Sequence, residues 1–90
     1  MLDTLEAIYQ ESLAALRDAA SSAELEAWRQ ATLGRKGSVQ LQTRRLGELP
    51  TEERPAFGRR VNEIKQALQQ AYEEQAARRR AQDLEAQMAS

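Results

Sequence analysis

A glycine and a proline three residues apart, in LGELP at residues 46–50, separate two long runs of helical periodicity. Before them, Leu25, Trp28 and Thr32 step by three and four. The same step continues through Arg35, Val39, Gln42, Leu46 and Leu49. After them comes a second stripe of Phe57, Val61, Ile64, Leu68 and Tyr72. Such spacing predicts amphipathic helices. Pro50 excludes a helix running through that point, and Gly47 is expected to supply a C-cap. Two long helices joined by so short a turn must be antiparallel. With the bend at residues 47–51, facing residue numbers sum to about 100, the register of an antiparallel helix pair. Val61 then faces Val39, Leu68 faces Thr32, Tyr72 faces Trp28 and Gln75 faces Leu25. The same ruler sets Lys65 beside Arg35. It sets Asn62 beside Ser38, where its amide is expected to bond backbone groups freed by a helix break.

That break is expected at LGRKGS, residues 33–38. Two glycines within four residues cost roughly 2 kcal/mol of helix propensity, and Ser38 is expected to cap the resumed helix. Upstream, Leu2, Leu5, Tyr9, Ser12 and Leu16, widened by Ile8 and Leu13, predict a first helix ending near Ala20. Ser21 followed by Glu24 reads as a capping box opening the second. The third helix is expected from Thr51 to Met88, with Glu52 and Glu53 at the positive end of its dipole. If the first helix stacks on the base of the hairpin, Leu84 lies near Leu16 and Met88 near Ser12 and Leu13. The expected fold is all-α: an antiparallel helical hairpin over residues 21–90 with a short extra N-terminal helix over residues 1–20.

Of the 37 hydrophobic residues 16 are Ala, which leaves 21 large apolar side chains and a thin core at most. The chain has no Cys and no His. Zinc fingers, thiol nucleophiles, imidazole bases and disulfides are therefore excluded. No apolar run reaches the ~20 residues that span a bilayer, and the acidic N-terminus is not a signal peptide. The paired carboxylates Glu52 with Glu53 and Glu73 with Glu74 point in different directions on a helix, a poor arrangement for acid–base catalysis.

The net charge of −1 conceals a polarity. Residues 1–30 carry a net of −4. Residues 31–60 carry +4, from Arg35, Lys36, Arg44, Arg45, Arg54, Arg59 and Arg60 against three acids. Eleven of the 13 basic residues are Arg. Genomic base composition alone can produce that count, and it also suits bidentate phosphate contacts. Arg35 and Lys36 in the glycine-flanked loop read either as phosphate contacts or as two solvated charges on a helix break. The loop is not a P-loop, because the spacing before Gly-Lys-Ser/Thr is wrong and no strand precedes it. Arg44, Arg45, Arg54, Arg59 and Arg60 make the hairpin tip a candidate tracker of a sugar–phosphate backbone. The alternative is a solvated face in which Arg59 pairs with Glu63, worth a few tenths of a kcal/mol. The run Arg78, Arg79, Arg80 covers most of the helix circumference; a pair with Asp18 is the favoured outlet, and a ligand contact is the alternative. Trp28, Phe57 and Tyr72 lie on apolar stripes and read as core.

The stretch LGRKGSVQLQTRRLGELPTEERPAFGRRVNEIKQAL, residues 33–68, resembles the N-terminal domain of the bacterial phenylalanyl-tRNA synthetase alpha subunit. The matching positions are Leu33, Gly34, Lys36, Gly37, Leu46, Gly47, Leu49, Pro50, Glu53, Arg54, Gly58, Asn62 and Lys65, with Arg35 in place of the family's usual lysine. The resemblance implies a coiled-coil arm that lies on the outer corner of phenylalanine-specific tRNA through backbone and shape. It implies tRNA contacts from Arg35, Lys36, Arg44, Arg45, Arg54, Arg59, Arg60 and Lys65. The implied parent is a cytoplasmic class II ligase, an alpha-2/beta-2 heterotetramer using ATP and Mg. These 90 residues would be a non-catalytic fragment with no cofactor of its own, partnered by the alpha-subunit catalytic domain and the beta subunit. No membrane or DNA role is expected. Seryl-tRNA synthetase has an analogous arm, but LGRKG and LGELP are similar to the phenylalanine enzyme. The competing reading is a protein–protein interaction coiled coil, supported by an acidic first helix whose apolar stripe needs a partner.

Overall fold

A computed structural model describes residues 2–89. Helix α1 spans Leu2–Asp18, α2 Ser22–Leu33, α3 Ser38–Arg44 and α4 Arg54–Ala89, with a 3-10 turn at Arg45–Glu48 between α3 and α4. No strand occurs among the described residues. The fold is therefore an all-α helical hairpin, α2 and α3 against α4, with an added N-terminal helix. Its envelope is 59 × 18 × 17 Å, and the 36 residues of α4 set the long dimension.

The two stripes read from the sequence are the seam. Leu25, Trp28, Thr32, Val39, Gln42 and Leu49 are buried, as are Phe57, Val61, Ile64 and Leu68. Trp28 and Tyr72, expected to face one another, are stacked with ring centroids 6.0 Å apart. The ruler slips slightly elsewhere. Lys65, expected beside Arg35, donates to Gln40 Oε1 at 3.1 Å. Asn62 is exposed and makes no bond to the glycine break.

The position of α1 decides a placement that the sequence leaves open. It does not stack on the base near Leu84 and Met88, which are 57% and 78% exposed. Instead it folds back along the hairpin and completes a three-layered bundle. Arg60 of α4 grips Glu6, Gln75 Nε2 donates to the Leu16 carbonyl at 2.6 Å, and Trp28 Nε1 donates to the Ser12 carbonyl at 2.9 Å. Residue numbers rise together along α1 and α4 and run oppositely along α1 and α2. Leu5, Ser12 and Leu16 thereby join the core. The cause is tertiary: the seam of a two-helix hairpin this poor in large side chains is open on one side, and the α1 stripe closes it.

The helix ends differ in detail from the sequence reading. Ser21 Oγ accepts the Glu24 N–H at 3.1 Å as expected, but the Glu24 carboxylate reaches back to the Ala20 N–H, at 2.6 Å. Gly37, not Ser38, occupies the cap position of α3. Gly47 lies within the 3-10 turn and caps nothing by its own geometry. The long helix begins at Arg54, after a turn in which the Glu53 N–H bonds the Pro50 carbonyl, rather than at Thr51. Pro55 is its second residue, where a missing N–H costs no helical bond.

Candidate nucleic-acid interface

The glycine break is a tight turn. The Gly34 N–H bonds the Gln30 carbonyl at 3.2 Å and the Gly37 N–H bonds the Gly34 carbonyl at 2.9 Å. A Cβ on Gly34 would lie 2.5 Å from the Gln30 carbonyl oxygen, and one on Gly37 2.5 Å from that of Thr32. Neither glycine has a positive φ, so each is required by close backbone approach rather than by handedness. Arg35 and Lys36 between them are exposed. Gly37 is buried, so the turn presses its second glycine inward and turns its two cations outward.

At the other end of α3, Arg44 and Arg45 are exposed. Arg45 makes a long 3.4 Å contact with Gln42 Oε1, and Arg44 has no partner among the described residues. Arg59 is also exposed and has no partner among the described residues. Its expected partner Glu63 is taken by Arg60, at 3.1 Å. Four of the sequence candidates, Arg35, Lys36, Arg44 and Arg59, thus present guanidinium or ammonium groups to solvent with no acceptor among the described residues.

The other candidates are engaged inside the fold. Arg54 donates from Nε to the Leu49 carbonyl at 3.1 Å and from Nη2 to the Gly47 carbonyl at 3.2 Å. It ties down the two carbonyls that the chain reversal frees, the task expected of a Gly47 cap. Arg60 grips both oxygens of Glu6, reaches Glu63 and lies over the Tyr9 ring, 5.4 Å from its centroid. Its hydrogen bond to Glu6 and the charge of that carboxylate raise the Arg60 pKa further, and Glu6 is lowered in turn, first by the same hydrogen bond. Arg60 is thus the clasp that holds α1 against α4. Lys65 is half-buried and bonded to Gln40.

Charge at the tip is more mixed than the sequence segments indicate, because the return of α1 brings acids with it. Asp3 shares a cavity of about 420 Å³ with Glu52 and Glu53 over a floor of Leu2, Leu49 and Phe57. Among the hairpin candidates, the cationic surface is therefore confined to the loop at residues 35–36 and to Arg44, Arg45 and Arg59, not the whole hairpin end. At the base, Arg79 pairs with Asp83 at 3.6 Å and not with Asp18.

Among the described residues no group of three His, Cys, Asp or Glu side chains is placed to hold a metal ion. No helix among them is long and apolar enough to cross a membrane.

A family model described as aminoacyl tRNA synthetase class II, N-terminal domain, matches residues 20–88. Curated relatives include the phenylalanine–tRNA ligase alpha subunit of Roseiflexus castenholzii, 45% identical over 73 residues that are 81% of this chain and 21% of that protein. The alpha subunit of Moorella thermoacetica is 42% identical over 74 residues, 82% of this chain and 22% of its own. That of Saccharophagus degradans is 37% identical over 89 residues, 99% and 26% respectively. The chain spans between about a fifth and a quarter of the length of these relatives.

Proposed function

Because the chain belongs to the class II aminoacyl tRNA synthetase N-terminal domain family, we propose that it is the RNA-holding arm of a phenylalanine–tRNA ligase alpha subunit. Its ligand is phenylalanine-specific tRNA, held at the outer corner through phosphates and shape. Double-helical RNA offers proteins its backbone and 2′-hydroxyls more readily than its base edges, and a rod with scattered guanidinium groups suits that ligand.

One observation carries the reading. Arg35, Lys36, Arg44 and Arg59 stand exposed with no acceptor among the described residues, while neighbouring cations are consumed internally. Arg45 and Lys65 flank this set with weak or replaceable bonds. Arg54 and Arg60 act through the fold, by shaping the tip and fixing α1. Catalysis, ATP and Mg belong to the rest of the parent enzyme in this proposal, as do the beta subunit, the alpha-2/beta-2 assembly and a cytoplasmic location. The competing interaction-module reading loses its main support, since the α1 stripe finds its partner inside the chain.

Gel-shift titration of unmodified tRNA tests this. If about four phosphates are neutralised, affinity falls on the order of a hundredfold between 50 and 200 mM salt. The variant with Arg35, Lys36, Arg44 and Arg59 all changed to Gln is expected to lose that binding with helical content intact. Equal, salt-insensitive behaviour of both proteins overturns the proposal.

A further inference from the structure

The geometry points to a phosphate-binding cleft at the base of the bundle, far from the tip, formed by Arg17 of α1 with Arg78 and Arg79 of α4. These three side chains, with Gln75 and Gln82, line one cavity of about 320 Å³. No acidic side chain lines it among the described residues. Asp18 and Glu24 line a different cavity.

Two of the three arginines are not neutralised where they stand. Arg17 and Arg78 are exposed and have no partner among the described residues. Arg79 is the third, held by Asp83 in an ion pair at 3.6 Å, longer than a hydrogen bond. Its Nε is shielded from solvent and has no acceptor. That N–H is closed to an oxyanion as well, so a ligand in the cleft meets the exposed remainder of the Arg79 side chain. The planar guanidinium fork presents paired donors at the spacing of phosphate oxygens.

The C-terminal end of α1 disfavours an anion, and Gln75 Nε2 offsets part of that by donating to the Leu16 and Ala19 carbonyls, at 2.6 and 3.3 Å. Convergence is also set by the fold. Arg17 reaches the cleft only because α1 lies back along α4, so sequence periodicity alone does not bring it to Arg78 and Arg79. The ligand class is a phosphate oxyanion, either a free ion or a phosphodiester of a nucleic-acid backbone. The inference does not depend on the role proposed for the tip.

Nitrogen-15 NMR of the 90-residue chain, observing arginine Nε–H resonances, is the test. Sodium phosphate is titrated against sodium chloride of matched ionic strength. A saturable shift of the Arg79 and Arg78 signals in phosphate alone is expected. Arg78→Gln should weaken apparent affinity by roughly threefold to tenfold, as befits a charge-assisted contact open to solvent. Arg17→Gln, on a different helix, should do the same, which guards against a local disturbance of α4. Arg44→Gln at the tip should not. A short RNA duplex then separates the sources: shifts at these residues identify a backbone phosphodiester, and response to orthophosphate alone identifies a free ion. Non-saturating shifts equal in phosphate and chloride, or affinity untouched by both base substitutions, overturn the cleft.

Discussion

Ile64 and Leu68 are fully buried in a core that has few other large side chains. Truncating either to Ala should cost about 2–5 kcal/mol, measured by urea unfolding. Trp28 carries two contacts at once, the bond to the Ser12 carbonyl and the stack on Tyr72. Trp28→Phe keeps an aromatic face but removes the donor, and a loss of about 1–3 kcal/mol is expected from the same measurement. Charge behaves differently because the ion pairs are solvated. Arg29 holds the Glu26 carboxyl at a pKa of about 2, down from 4.5, helped by Gln30 and, more weakly, Tyr72. A carboxylate whose folded pKa is depressed stabilises the fold above its unfolded value and loses that contribution as pH falls through the folded one. Stability is therefore expected to decline between pH 4.5 and about 2. Both partners are largely exposed, so the effect should be small and shrink with added salt. Thermal melts of the parent chain and Glu26→Gln at pH 6 and pH 3 check this: the difference between the two proteins should narrow at the lower pH.

Helix by helix, the glycines divide into two kinds. Gly37→Ala drives a Cβ into the Thr32 carbonyl and should destabilise by roughly 1–3 kcal/mol. Gly58, inside α4, meets nothing closer than a Leu46 methyl at 3.7 Å, so Gly58→Ala should stabilise by about 0.5–1 kcal/mol. Paired urea titrations reading opposite signs would separate a required turn from a tolerated gap. This contrast also marks what the sequence makes legible. The stripes from Leu25 to Leu49 and from Phe57 to Leu68 could be read directly because helical periodicity is local, and one proline fixes where the chain reverses. The facing of Trp28 and Tyr72 followed from that bend by counting. The course of α1 did not follow, because nothing local decides it. Its direction depends on Glu6 meeting Arg60 and on Gln75 meeting the Leu16 carbonyl, pairs 54 and 59 residues apart. The same gap explains Leu84 and Met88: their spacing suggests a face, but no element lies there to receive it. Among the candidate cations, exposure at Arg35, Lys36, Arg44 and Arg59 suits the sequence reading. The internal engagement of Arg54 and Arg60 could not be read, since a guanidinium near a turn looks the same whether it serves solvent or backbone.

For the molecule as a whole, α1 is a structural member and not an appendage. It supplies Leu5, Ser12 and Leu16 to the core and the carbonyl that Trp28 needs. A chain lacking residues 1–20 should lose cooperative melting by circular dichroism or associate through the exposed seam, which sedimentation would detect. Both outcomes differ from the reversible two-state unfolding expected of the intact bundle. Trp28 is the chain's only indole, and it sits where all three layers meet, hydrogen-bonded to α1 and stacked against α4. The molecule therefore contains a built-in fluorescent gauge: lifting of α1 and splaying of the hairpin each disturb one side of a single emitter. Emission wavelength and tyrosine-to-tryptophan energy transfer should report the two motions separately, without any attached dye.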